Sequence, residues 1–249
     1  MSGAILQAQG LVKRYGSAEV LAGIDLQAET GRVLAVVGPS GCGKSTLLNI
    51  LSGLLAPDGG QLLVDGVPAR RFGQWQRIAY MFQEDRLLPW RSVIDNVAFG
   101  LEATRLSRRQ RRQRAQSALA RVGLADVAQS WPHELSGGMR SRVALARSLA
   151  VRPDVLLMDE PFSKLDPQTR SQMHEQLLSL HAASGTTVVF VTHDMEEAVV
   201  LADRIVRLRP NPGRVAEVVD LASLARPRDP VSPLVAERVR ALREAMGAG

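Results

Sequence analysis

Residues 32–46 read RVLAVVGPSGCGKST, and their order decides the fold: an apolar, β-branched run ends at Gly38, and Lys44 opens a helical pattern running to about Leu51. The spacing of Gly38, Gly43, Lys44 and Ser45 is that of a phosphate-binding loop set between a strand and a helix. Gly38, Gly41 and Gly43 let backbone N–H groups converge on phosphates with no Cβ in the way, and the helix N-terminus adds partial positive charge. Pro39, Ser40, Cys42 and Thr46 complete the loop, with Cys42 read as a small filler residue. Lys44 offers a compact charge to the β- and γ-phosphates, and the Ser45 hydroxyl is a candidate Mg²⁺ ligand.

Outward from this loop, apolar runs at 155–159 (VLLMD) and 186–192 (TTVVFVT) alternate with helical stretches, one of them through 168–183. Short buried strands separated by helices indicate parallel pairing, hence an α/β fold. The first thirty residues and GQLLVDGVPA at 60–69 read as alternating strands, with turns at Gly16 and at Asp65-Gly66, so an antiparallel sheet is expected beside the parallel one. Residues 91–150 carry no strand signal and read as a helical insertion. Beyond Val219, Pro227, Pro230 and Pro233 oppose regular structure before VAERVRALREAM resumes a short amphipathic helix, and this tail reads as an appendage.

Polar residues at strand ends supply the chemistry. The 155–159 run ends in Asp159 followed by Glu160. Side chains alternate along a strand, which predicts two different jobs: Asp159 in a Mg²⁺ shell and Glu160 as the base polarising an attacking water. Gln83 follows IAYMF and His193 follows TTVVFVT, so each is expected at the carboxyl edge of a strand, where ligands of open α/β sheets bind.

The composition narrows the class. The 249 residues are 45% hydrophobic and carry 31 basic and 25 acidic side chains, a net +6, with only three lysines: Lys13, Lys44 and Lys164. Six arginines and no acid fall within 105–114, RLSRRQRRQR, so the rest of the chain is neutral. With no aromatics interleaved for base stacking, this segment reads as a solvated helix face, with attraction to anionic lipid as the functional alternative, and no nucleic-acid partner is expected. A single cysteine excludes an internal disulfide. No stretch approaches the roughly 18 apolar residues of a membrane span, and the N-terminal stretch lacks a secretory apolar core, so a cytoplasmic protein with at most peripheral membrane association is expected.

LSGGM at 135–139 resembles the LSGGQ signature of ATP-binding cassette (ABC) proteins, and the other elements fall into that family's order over roughly residues 4–225. The resemblance implies a P-loop NTPase with a RecA-like core (4–84 and 145–225), an N-terminal antiparallel β subdomain, an inserted α-helical subdomain (85–144) and a C-terminal extension (226–249). It implies ATP and Mg²⁺ as cofactors, with Tyr15 stacked on adenine and Gln83 joining Ser45 and Asp159 as Mg²⁺ ligands. Glu160 is the implied catalytic base, assisted by His193, Gln83 and Lys44, and Asp166 lies in the D-loop. Ser136, Gly137, Gly138 and Met139 would meet the ATP of the opposite subunit, so a head-to-tail homodimer is implied. Met139 departs from the usual Gln, and Lys164 stands at a D-loop position that is commonly small.

The segment from Gln83, QEDRLLPWRSVIDNVAFGLE, looks like that of the nitrate, sulfonate and taurine import group, as does the late turn RPNPGR at 209–214. What this implies is an ATPase subunit at the cytoplasmic face of the inner membrane, working with a membrane permease and, indirectly, an extracytoplasmic solute-binding protein. Leu87, Leu88 and Trp90 are the expected permease-docking residues, ordinary core packing being the competing reading. An ABC ATPase of another transport system, or a non-transport, nucleic-acid-associated one, is the alternative.

Overall fold

The computed structural model describes residues 3–247. In chain order it carries β1 (Ala4–Tyr15), β2 (Ala18–Glu29), β3 (Val33–Val37), α1 (Lys44–Leu51), β4 (Gly59–Val64), β5 (Val67–Pro68), β6 (Ile78–Met81), α2 (Val93–Ala98), α3 (Arg108–Arg121), α4 (Gly137–Ala150), β7 (Val155–Asp159), α5 (Pro167–Ser184), β8 (Thr187–Thr192), α6 (Met195–Leu201), β9 (Arg204–Arg209), β10 (Arg214–Asp220) and α7 (Pro233–Gly247). Two compact units result: residues 1–75 with 185–249, and residues 76–184. The second therefore groups β6, β7 and α5 with the helices expected at 85–144.

The first unit contains an antiparallel sheet in the order β2-β1-β4-β5. Its hairpins turn where the sequence predicts. Tyr15 pairs with Ala18 across Gly16, and Val64 pairs with Val67 across Asp65 and Gly66. Asp65 and Gly66 both have positive φ, 52° and 75°, the requirement of a two-residue hairpin whose twist matches the strands. Leu6, Leu11, Leu21 and Ile24 form the buried side of this sheet.

In the same unit β3 lies between β8 and β9, parallel to both, and β10 runs antiparallel along β9. Every residue of β3 and β8 is buried, which is why these runs read as uninterrupted rather than alternating. The register sets Val37 opposite Thr192. The residues that follow, Gly38 and His193, therefore leave the same edge of the sheet side by side.

The C-terminal extension, expected as an appendage, is packed into this unit. Val235, Val239 and Leu242 of α7 are buried, and α7 packs on α6. The proline-rich link before it is tied down by Arg228, a buried side chain that donates to the carbonyls of Val199 (2.7 Å), Ala202 (2.6 Å), Leu221 (2.7 Å) and Leu224 (3.2 Å). A fixed guanidinium fork closes the carbonyl end of α6, where positive charge is favoured.

In the second unit β6 and β7 pair in parallel with Met81 opposite Met158, and α2, α3 and α4 pack on one another over Val97, Leu119, Val143 and Leu145. Serines start each of these helices: Ser92, Ser107 and Ser136 accept from backbone N–H groups of the first turn, and Ser107 with Gln110 forms a reciprocal capping box. No helix among the described residues is long and apolar enough to cross a membrane.

Candidate nucleotide site

The phosphate loop lies in the first unit. Gly43 starts α1 with φ 93°, and a Cβ there would stand 2.5 Å from Leu21 Cδ2. At Gly38 a Cβ would stand 2.8 Å from the Leu208 carbonyl oxygen and 2.7 Å from Cys42 Sγ, so close packing excludes a side chain although φ does not demand glycine. Cys42 is fully buried, and burial pushes its thiol above the usual range, which fits a filler and not a reactive thiolate. Lys44 is buried to 6% exposure, with its ammonium donating to the carbonyls of Gly38 (2.8 Å) and Pro39 (3.0 Å). Thus the loop holds its own cation against its mouth, while Ser40, Gly41 and Ser45 are exposed.

The strand-end histidine is fixed from both sides. Thr192 donates to Glu197 Oε2 at 2.6 Å and accepts from the Asp194 N–H at 3.0 Å, while Asp194 caps α6. His193 lies exposed between them. Tyr15, at the end of β1, is 52% exposed, with the Lys13 ammonium 5.7 Å from its ring centroid. An open aromatic face of this kind is what stacking requires.

One contributor escaped the sequence reading. Gly213, in the late turn, donates to the Val20 carbonyl at 2.9 Å and accepts from Ala22 at 2.9 Å, and a Cβ on it would stand 2.3 Å from the Cys42 carbonyl oxygen. The turn at 209–214 is therefore seated against the phosphate loop. Its Asn-Pro-Gly composition announces a turn, yet nothing local announces what the turn touches.

The strand-end carboxylates and the signature turn lie in the second unit. Asp159 ends β7 and Glu160 leaves it with φ 44°. Strand alternation therefore stops at Asp159: a left-handed residue turns the chain out of the strand at the second carboxylate. Because Met81 pairs with Met158, Gln83 and Glu160 are matching positions, and Gln83 Nε2 donates to Glu160 Oε2 at 3.1 Å. That leaves the Gln83 amide oxygen as an acceptor. The Tyr80 hydroxyl lies 3.4 Å from Asp159 Oδ2; burial, then the Asp159 charge, raise its pKa far above the usual phenol value.

Ser136 is the N-cap of α4, its hydroxyl oxygen accepting from the Met139 N–H at 3.2 Å, so the O–H remains a donor to something else. The helix cap and the expected signature contact are the same residue. Gly138 is required by close approach, since a Cβ would stand 2.9 Å from Thr169 Cγ2 on α5. Asp166 caps that helix by accepting from the Thr169 N–H at 3.0 Å, and its bonds to Thr169 hold its carboxyl below the usual range.

The three apolar residues after Gln83 separate. Leu87 is buried, and Leu88 is half-buried with its N–H donated to Asn96 Oδ1. Trp90 is 70% exposed. It borders a cleft of about 550 Å³ shared with Asp95, Arg108, Arg112, Gln129 and Trp131.

A glycine loop closing a buried parallel strand, a lysine held in that loop and a histidine on the neighbouring strand end define a P-loop ATPase. Residues 21–163 match the ABC transporter family, and the chain belongs to that family as an ATP-hydrolysing member. The aliphatic sulfonates import ATP-binding protein SsuB of Cupriavidus necator is 49% identical over 228 residues, covering 91% of this chain and 72% of that protein. The taurine import ATP-binding protein TauB of Yersinia pestis is 44% identical over 217 residues, covering 87% and 84%. Among solved structures, the dimeric post-hydrolysis state of the ATP-binding cassette MJ0796 bound to ADP and Pi aligns with a TM-score of 0.77 at 31% identity, covering 87% of this chain and 98% of that one.

Proposed function

We propose that this chain is the ATPase subunit of an importer for a small anion, an aliphatic sulfonate first, with taurine and nitrate as the related choices. It works as a homodimer at the cytoplasmic face of the inner membrane, on a separate permease fed by an extracytoplasmic solute-binding protein. The likeness across 91% of the chain to a sulfonates import protein carries this reading.

In this reading Tyr15 stacks on adenine, the loop 38–46 wraps the phosphates, and Lys44 exchanges its two carbonyl partners for phosphate oxygens. Ser45, Asp159 and the Gln83 amide oxygen suit Mg²⁺, a hard cation that takes a few protein oxygens and completes its shell with phosphates and water. No cluster of three acidic, His or Cys ligands exists among the described residues, in keeping with an ion that arrives with its nucleotide. When bound, the ion neutralises charge on the phosphates. Glu160, oriented by Gln83, takes the proton of the attacking water, and His193 steadies the terminal phosphate. Ser136, Gly137, Gly138 and Met139 close on the ATP of the second subunit, and hydrolysis reopens the dimer. Trp90 receives the permease.

Glu160→Gln is expected to keep ATP binding while lowering turnover by at least about 10²-fold. A strain lacking this chain should lose growth on an aliphatic sulfonate as sole sulfur source while growing on sulfate. Wild type should restore it, and Glu160→Gln should not. Unimpaired ATPase in the variant overturns the base assignment; undiminished growth of the deletion strain on sulfonate overturns the substrate.

A further inference from the structure

Of the three lysines, two are occupied. Lys13 pairs with Asp58 at 3.0 Å and donates to the Ala56 carbonyl, and Lys44 is held by its loop. Lys164 is exposed and, among the described residues, enters no hydrogen bond or ion pair. Its backbone, in contrast, is fixed on both sides. Before it, Ser163 Oγ donates to the Glu160 carbonyl at 3.0 Å. After it, Leu165 is buried and Asp166 caps α5, which packs against Gly138 of the signature turn. A long, free cation is thus mounted on a hydrogen-bonded turn that follows Glu160, on a wall shared with the start of α4.

Lys164 lines a cavity of about 500 Å³ with Gln83, Glu84, Arg86, Gly137 and Arg140. Asp85, also on the wall, is engaged by Arg140 Nε at 3.0 Å, and Arg86 stacks its guanidinium 3.9 Å from the Phe82 ring centroid. Glu84 is the one acid there without a partner. The first N–H groups of α4, at Gly137 and Gly138, have no acceptor among the described residues, whereas Met139 and Arg140 are satisfied by Ser136. Lys164 and these open amides are thus unengaged donors on one wall, and both kinds of group suit an anion.

We propose that Lys164 is a further phosphate-binding residue: it donates to the terminal phosphate of a nucleoside triphosphate presented to this signature turn by the second copy of the chain. The inference rests on the dimer reading above. It gives the signature surface a charge of its own, so that tri- and diphosphate are told apart by an ion contact in addition to amide hydrogen bonds.

The test follows ATP-driven dimerisation of the full chain carrying Glu160→Gln by sedimentation over a nucleotide series. Adding Lys164→Ala should raise the ATP concentration needed for dimer about tenfold, the scale of one charge-assisted hydrogen bond, with ADP behaviour unchanged. Lys164→Arg should recover most of the loss, and in a Glu84→Gln background the effect of Lys164→Ala should persist. An ATP dimer indifferent to Lys164→Ala overturns the proposal and leaves the dimer reading standing. Disappearance of the effect with Glu84→Gln also overturns it, by making Lys164 the partner of Glu84 within one subunit. Failure of the Glu160→Gln protein to dimerise with ATP removes both.

Discussion

The phosphate loop and the signature turn are both glycine-bearing starts of helices, and they are built in opposite ways. The loop is pressed from behind: Leu21, Leu208 and Gly213 leave no room for added atoms, Cys42 is fully buried and Lys44 nearly so. The turn is open: Ser136 and Gly137 are exposed, a Cβ at Gly137 would have only Arg140 Nη2 near, at 3.9 Å, and just Gly138 is crowded. In the proposed reading, a loop that grips phosphates in every state is held by packing, whereas a surface that meets its ligand only when a second subunit arrives remains accessible. This difference makes stability the measure of one region and association the measure of the other.

The sharpest way to break the contrast is Gly213→Ala. Its added methyl would stand 2.3 Å from the Cys42 carbonyl oxygen and 2.8 Å from that of Val20, both backbone atoms that cannot swing away. Overpacking of this kind is expected to cost about 3 kcal/mol or more and to lower ATP affinity with it. Gly137→Ala, by comparison, should change stability by less than about 1 kcal/mol, because there is space and alanine suits a helix start. Thermal unfolding with and without nucleotide reads both; equal shifts for the two variants would dissolve the distinction.

Next in size is Arg228→Met, which asks how far the rigid frame of the first unit extends. Removing the guanidinium takes a donor from four carbonyl oxygens, of which that of Leu221 keeps the Leu224 N–H, and a loss of about 3 kcal/mol in urea unfolding is expected. Arg228→Lys should recover only part of that, since one ammonium cannot reproduce a two-armed fork. An unaltered midpoint for Arg228→Met would return the C-terminal segment to the status of an appendage.

These two positions also mark where the sequence stops being legible. The phosphate loop, β3, β8 and the Asp65-Gly66 hairpin could be read in advance because their residue types are dictated by local demands: positive φ, absence of Cβ, or burial on both faces. The order of motifs likewise gave the family before any coordinate. Gly213 and Arg228 are different, since their importance comes from partners far along the chain, and a PNPG or RPRDP string announces only a turn or a break in regular structure. Glu160 is intermediate: its place just beyond the strand was legible, whereas its left-handed backbone was not. Leu87 and Trp90 show the limit from the other side, because hydrophobicity alone does not say which of two neighbouring apolar residues faces inward.

That pair supplies the smallest expected effect on the isolated protein and the most discriminating one for its assembly. Leu87→Ala removes a buried side chain and should cost about 2–3 kcal/mol of stability. Trp90→Ala removes a side chain that is 70% exposed, so unfolding should shift by less than about 0.5 kcal/mol and ATPase activity without permease should be unchanged. If Trp90 receives the permease, the same substitution should abolish its co-purification and sulfonate-dependent growth, because aromatic anchors carry a disproportionate share of interface energy. A Trp90→Ala protein that binds its permease and supports growth assigns the cleft no part in docking. One that loses both while unfolding like wild type separates the surface that transmits force from the frame that holds the nucleotide.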